Sequence, residues 1–216
     1  MTKSYYSFTF LLLTLLFCVC LIVSNLMEIK VVDLGFITVT AGVAIFPVSY
    51  IINDCIVELY GFNKARMVIW LGFAMNLLVS VLLQVGLWLP GAASWQGQEA
   101  MQLVFGAVPR IFAASFLAFI CGSLANAYVM HRMKVSSGGK GRFSVRAIVS
   151  TLWGEGIDSL IFFPIAFAGV LPFSTIIELI ITQALLKTAY EILVLPLTIR
   201  TVKFLRKTEG MSIQSI

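Results

Sequence analysis

The sequence predicts an all-α membrane protein of six transmembrane helices with both termini cytoplasmic, and three observations predict it. Of the 216 residues, 60% are hydrophobic and 12% charged, with a mean hydropathy of +0.99; a soluble domain carries about 25% charged residues. Apolar runs long enough to cross a bilayer, about 20 residues each, recur at about 8–27, 37–60, 66–89, 110–131, 146–168 and 174–200. The connections between them are short, so residues 1–216 read as a single transmembrane domain. Finally, 12 of the 15 lysines and arginines fall on one side of such a six-span path, which the positive-inside rule makes cytoplasmic. Lys30 and Arg110 fall on the other side and Lys187 lies within a span. The net charge of +5 therefore belongs to membrane rims and does not indicate a nucleic-acid partner. A multi-pass protein of a plasma membrane, of the bacterial inner-membrane kind, is expected, with the lipid bilayer as its surroundings.

Span one follows Lys3 but is too long for a signal peptide and lacks a small-residue cleavage pattern, so it reads as retained. Ser24 and Asn25 make a polar step near its end, and 28–35 reads as a short loop of mixed charge. Span two contains Gly42 and Pro47; proline removes a backbone donor, and at membrane depth the resulting break must face protein or a cavity. Tyr50, Asp54 and Glu58 recur every four residues there and share one face, with Asn53 beside them. Glu58 lies near the rim, where Lys64 or Arg66 is its expected partner. Span three looks structural. Trp88, just before the segment 90–109, and Trp95 within it fit an interfacial belt, and 96–105 reads as a short amphipathic piece on the surface or over the mouth. Span four is rich in small residues, from Ala113 and Ala114 through Ala118 to Gly122 and Ala125, which suits close helix packing. His131, the single histidine, abuts Arg132 at the rim. The stretch 135–143 is a flexible basic linker; it lacks the Gly-x-x-x-x-Gly-Lys-[Ser/Thr] of a P-loop. Pro164 lies near the end of span five, a tight turn around Pro172 joins it to span six, and Pro196 precedes a basic tail.

The chemistry concentrates in Trp153-Gly154-Glu155-Gly156-Ile157-Asp158, in the middle of span five. Intramembrane carboxylates cost a few kcal/mol each unless paired or hydrated, and mark function by default. Glu155 and Asp158 are three residues apart and share a face. Gln183, Lys187 and Glu191 do the same on span six, its antiparallel neighbour. The four charged groups therefore form one cluster of three acids and one base. Lys187 neutralises one acid; the others need protons, water or a ligand rich in N–H donors. A salt bridge that only fixes helix register, Lys187 with Glu191, leaves the surplus acids unexplained. There is no His-Glu-x-x-His and no Gly-x-Ser-x-Gly, so no catalytic residues, cofactor or metal are expected. Cys18, Cys20, Cys55 and Cys121 all lie in apolar segments and read as small core residues. A mixed cluster beside a broken helix fits a midplane pocket for one polar organic molecule. A surplus of carboxylates favours an amidine, an amine or a guanine-type edge. Phe46, Tyr50, Trp153 and Tyr190 are candidates for stacking on a flat ring.

The ordered residues Ser24-Asn25-Leu26, Gly35-Phe36, Phe46-Pro47, Asn53-Asp54, Tyr60-Gly61, Ala114-Ser115-Phe116-x-Ala118, Gly122, Ser150-Thr151-Leu152-Trp153-Gly154, Asp158-Ser159-Leu160, Phe162-Phe163, Ile165-Ala166-Phe167, Lys187 and Pro196 resemble the queuosine precursor transporters of the vitamin-uptake-transporter-like family. The resemblance covers about residues 24–196. It implies a six-helix fold similar to the substrate-binding components of energy-coupling-factor transporters, and uptake of a 7-deazaguanine: the cyano or aminomethyl precursor, or queuine. It carries polar site roles onto Asp54, Asp158 and Lys187. Glu155 stands where some members have asparagine, which points to a substrate with a cationic aminomethyl group.

On this reading the small-molecule substrate, a deazapurine, is held by Glu155 and Asp158, with Lys187, Asn53 or Gln183 donating to its carbonyl and Asp54 orienting it or taking a proton. Glu191 and Asn25 complete the expected polar lining. Two alternatives remain: a substrate-binding subunit docked on an energy-coupling ATPase, and a membrane assembly protein without a ligand. The first resembles a docking mode that uses an Ala-x-x-x-Ala face on span one, and no alanine precedes Ala41. Homo-oligomerisation is compatible with all three.

Overall fold

The computed structural model describes residues 7–136 and 143–208. The basic linker around 137–142, the tail beyond Thr208, Lys3 and the side chain of Tyr50 lie outside the described residues. The fold is mostly helical, 83%. Its helices are α1 (Phe8–Met27), α2 (Phe46–Tyr60), α3 (Phe62–Trp88), α4 (Gln98–Phe105), α5 (Val108–Ser136), α6 (Phe143–Phe167) and α7 (Phe173–Thr208). Among the described residues, four helical stretches are long and apolar enough to cross a membrane: Phe8–Met27, Phe62–Trp88, Gln98–Met133 and Ile148–Phe167. Counting α7 as one span despite its 47° bend at Pro196 makes five. Leu11, Leu15, Leu82, Leu124, Leu160 and Leu193 are among many large apolar side chains left exposed along these helices. Water would not tolerate so continuous an apolar exterior, and lipid requires it. This is a multi-pass membrane protein.

The second expected span departs from a helix. Residues 37–60 do not form one element. Val31–Asp33 (β1) and Thr38–Thr40 (β2) pair antiparallel, Val31 opposite Thr40, and Ala41–Ala44 form a single 3-10 turn before α2. The local sequence explains this. β-branched residues fill Val31, Val32, Ile37, Thr38, Val39 and Thr40, which favours strands over helix. Asp33 Oδ1 accepts from Gly35 N at 2.7 Å, and Gly35 takes φ 85°, closing the hairpin. Pro47 falls in the first turn of α2, where it costs no helical hydrogen bond and kinks nothing. With 15 residues α2 reaches only about 22 Å, short of a hydrocarbon core of about 30 Å.

Strand backbone among membrane helices needs partners. α7 supplies them: Thr38 N donates to Glu178 Oε1 at 2.9 Å, and the Thr182 hydroxyl donates to Thr38 O at 2.9 Å. The segment 96–105 does contain a helix, α4, tied to the end of α3 by Gln84 Nε2 donating to Phe105 O and Gln98 Nε2 to Leu87 O. Pro164 lies inside the last turn of α6, which ends at Phe167, and Arg110 closes that end by donating to Ile165 O at 2.5 Å and Ala168 O at 2.6 Å. A cation on the last carbonyls also suits the helix dipole.

Two apolar clusters hold the helices. Phe10, Phe17, Ile56, Val68 and Val202 join α1, α2, α3 and α7, while Ile111, Ala118, Phe163, Phe167 and Leu179 join α5, α6 and α7. The contact of α5 with α6 is the most extensive, and small residues make it possible. A Cβ on Gly122 would stand 2.8 Å from Gly154 O and 3.0 Å from Asp158 Cβ, and one on Gly154 would stand 2.9 Å from Asn126 Cβ. Gly122→Val should therefore lower the melting temperature of the detergent-purified protein, at a cost of about 1–3 kcal/mol by overpacking. An unchanged melting curve would show that the α5–α6 interface is looser than this spacing requires.

Candidate functional site

Between the two apolar clusters lies a cavity of about 370 Å³. Phe17 of the first and Phe162 and Phe163 of the second reach its wall, and α1, α2, α3, α5, α6 and α7 all contribute to it. Five carboxylates face it: Glu28, Asp54, Glu155, Asp158 and Glu191. That is half of the chain's ten acidic residues. Lys187 is the single lysine or arginine in the wall.

Lys187 reaches from α7 across to α6. Its Nζ lies 2.6 Å from Asp158 Oδ2 and 3.6 Å from Glu155 Oε2, and 4.8 Å from the centre of the Phe46 ring. The lysine side chain is 9% exposed, those of Glu155 and Asp158 17% and 20%. The expected cluster of Glu155, Asp158, Lys187 and Glu191 is thus assembled at one cavity, and its pairing is more specific than the i, i+4 match suggested. Lys187 spans the interface to α6, while Glu191, one turn further along, accepts from the Thr151 hydroxyl at 3.3 Å. Glu58 is not a cavity residue: it pairs with Arg206 of α7 at 2.5 Å rather than with the nearby Lys64 or Arg66, because α2 packs along α7 there.

Of the remaining expected residues, Phe46, Asn53, Asp54 and Gln183 line the cavity. Trp153 does not: it is 58% exposed on the outer face of α6. The helical period explains why, since Gly154, Glu155 and Asp158 face inward and Trp153 stands about 100° or more around the helix from each of them. Tyr190 is also absent from the wall, and phenylalanines provide the aromatic lining instead: Phe17, Phe46, Phe73, Phe119, Phe162 and Phe163. Asn25 is 3% exposed and outside the cavity wall, with neither amide atom hydrogen-bonded among the described residues.

The sequence reading missed Glu28, Ser115, Ser123, Asn126 and Thr151, all of which line the cavity. Glu28 is the instructive case. Taken as the first residue of a mixed-charge loop, it is the C-cap of α1 and 1% exposed. Its spacing from Ser24, four residues back on the same face, was the available signal.

A binding cavity of this size is at the small end of the usual range for small-molecule sites. Its polar groups are acceptors in excess of donors, and no group of three or more histidine, cysteine or acidic side chains is arranged to hold a metal among the described residues. The family described as "Putative vitamin uptake transporter" matches residues 40–201. The chain belongs to that vitamin uptake transporter family. Curated relatives in it carry a narrower name. The chain is 29% identical to the "Probable queuosine precursor transporter" of Bacillus subtilis (strain 168), over 88% of this chain and 82% of the relative. It is 33% identical to the "Queuosine precursor transporter" of Escherichia coli (strain K12), over 66% of this chain and 61% of the relative. A "Probable queuosine precursor transporter" of Haemophilus influenzae is 30% identical over 59% of this chain and 52% of its own length. No solved structure matches the chain. Membership in this family gives the chain a transporter role, and the relatives are named as transporters rather than enzymes.

The ion pair makes a stability prediction for this family member. Lys187→Met should destabilise the protein by about 3–5 kcal/mol, because removing one partner of a buried pair leaves uncompensated charge. Adding Asp158→Asn should restore part of the loss. Thermal unfolding of the parent, single and double variants reads both effects. A single variant as stable as the parent would show that Lys187 is not the counter-charge.

Proposed function

We propose that this chain takes up a 7-deazaguanine queuosine precursor across the plasma membrane, the inner membrane of a bacterium, and binds it in the central cavity. The observation that carries the proposal is the cavity wall itself: five carboxylates and one lysine surrounded by phenylalanines, enclosed among apolar helices. A deazaguanine offers a flat ring for the phenylalanines, an N–H edge for the acceptors and a carbonyl for a donor. The relatives' names support the same substrate class.

In this reading residues 1–216 form one domain that crosses the membrane six times with both termini cytoplasmic. The second crossing is made by the hairpin, the 3-10 turn and α2 together, an interrupted crossing of the type found at transporter sites. The split of basic residues supports the orientation. The six-crossing arrangement is the one expected of energy-coupling-factor binding components. Phe46, Asn53, Asp54, Glu155, Asp158, Gln183, Lys187 and Glu191 bind the substrate. Asp158 is held by Lys187, so its role is to fix the lysine, which donates to the ligand carbonyl. Glu155 and Glu191 are left to meet a cationic substituent.

Ligand-induced stabilisation tests this directly. A ligand that binds the folded state raises stability by about 2.7 kcal/mol at 100 times its dissociation constant. The purified protein should be stabilised by at least one of cyano-deazaguanine, aminomethyl-deazaguanine and queuine, and not by that compound in the Asp158→Asn variant. No shift with any of them from a folded sample would overturn the assignment. Glu155→Asn should weaken binding of the cationic aminomethyl compound more than that of the neutral cyano compound; equal losses would remove Glu155 from substituent recognition.

A further inference from the structure

We propose that Glu28 and Gln183, joined through Thr40, read the N–H edge of the substrate and set its specificity for a guanine-type ring. The inference rests on the deazaguanine reading and assigns its recognition edge to residues at the junction of the interrupted crossing.

Glu28 is 1% exposed and Gln183 0%, and both line the cavity. Gln183 Nε2 donates to Thr40 Oγ1 at 2.6 Å. The Thr40 side chain is also a hydrogen-bonding neighbour of the Glu28 carboxyl. Glu28 Oε2 and Gln183 Oε1 have no hydrogen-bond partner among the described residues. Two buried acceptors on residues of one cavity wall, both beside Thr40, are incomplete without donors. Other acids in the wall are differently engaged: Asp158 is held by Lys187, Glu155 lies 3.6 Å from the same ammonium, and Glu191 takes the Thr151 hydroxyl. Among the described residues no lysine or arginine forms a salt bridge with Glu28.

The site is also built to hold the carboxyl in place. The 3-10 turn passes so close that a Cβ on Gly42 would collide with Glu28 Oε1 and stand 2.9 Å from Ser24 O. Only glycine lets the turn close over the acid. The strand that carries Thr40 is fixed in turn by Glu178 and Thr182 of α7. A guanine-type ring presents adjacent N–H donors, at N1 and at the exocyclic 2-amino group, which match two adjacent acceptors. An adenine-type ring has neither of these groups; its 6-amino group can meet one acceptor, while its N1 lone pair faces the other and leaves it unsatisfied. Glu28→Gln reverses the polarity of the site. With the amide oxygen toward Thr40, the amide NH2 meets the ligand's N–H groups.

The test compares 7-cyano-7-deazaguanine with 7-cyano-7-deazaadenine on the purified full-length protein, by thermal shift across a concentration series. The parent should prefer the deazaguanine by at least about tenfold, as expected for a lost charge-assisted hydrogen bond. Glu28→Gln should weaken deazaguanine binding by about tenfold or more and leave deazaadenine binding unchanged or stronger. If Glu28→Gln does not purify folded, Gln183→Met carries the same comparison through the second acceptor. Equal parental affinity for the two rings overturns the proposal, as does a variant that weakens both rings equally, the signature of a merely structural role. If the parent binds neither ring nor any other deazaguanine, the transport assignment falls and this inference with it.

Discussion

The contact between Lys187 and Asp158, across the α6–α7 interface, is the interaction on which the rest of the cavity depends. Two charges out of water are costly, and their attraction offsets that cost only with good geometry and further hydrogen bonds. Here the ammonium lies 2.6 Å from one carboxylate, within reach of a second, and over the Phe46 ring. That ring belongs to the first residue of α2, so one lysine gathers three elements. The arrangement also decides what remains for a ligand. One positive group is shared by two acids, and the other three acids of the wall meet no cation within salt-bridge distance among the described residues. A surplus of acceptors is therefore a property of the assembled cavity and not of any one helix.

The hairpin and 3-10 turn that precede α2 follow from the same demand for partners. Strand backbone is acceptable at membrane depth only when its polar groups are met by protein or by water in a cavity. α7 is the element that meets them, with Glu178 and Thr182 taking Thr38 and the neighbouring Gln183 taking Thr40. Four residues beyond Gln183 the helix carries Lys187, and four further Glu191. Two adjacent stripes of one helix thus anchor the hairpin and line the cavity. The reach of α7, unbroken from Phe173 to its bend at Pro196, is what lets one helix do both.

Much of this was legible in the sequence because the dominant signals were strong. Long apolar runs located α1, α3 and α6 to within a few residues and found α5 and α7, whose helices run on to Ser136 and Thr208, past the expected ends at 131 and 200. The i, i+3 and i, i+4 spacing of Glu155, Asp158, Gln183, Lys187 and Glu191 brought them to one cavity. What failed did so for physical reasons. Hydropathy averages over residues 37–60 and hides the run of β-branched residues, Ile37 to Thr40, that makes β2. The aromatic choice of Trp153 ignored that a helix adjacent to lipid needs large apolar groups on its outside as well. Glu28 was read by its position after an apolar run, where a charge ordinarily meets water. Only the return of the chain through Thr40 and Gly42 encloses it, and that is a tertiary fact. The α5–α6 contact lies between these cases: small residues on α5 announced close packing, while the partner glycine, Gly154, was visible only as part of the acidic motif.

Burial and charge together limit how such a site discriminates. A cavity of about 370 Å³ offers little apolar area, and area alone converts poorly into affinity. Discrimination comes instead from what a wrong ligand leaves unmade. A ring without N–H donors forfeits hydrogen bonds and also leaves buried acceptors stranded, and stranded polar groups cost more than formed bonds gain. Glycine at 42, 122 and 154 makes the penalty enforceable, because each allows a backbone or side chain to approach where any Cβ would intrude. Close packing keeps the acceptors from relaxing toward other partners. On the deazaguanine reading proposed above, rigid placement of unsatisfied acceptors, rather than strength of attraction, is the physical basis on which a small acidic cavity would select one flat, donor-rich molecule.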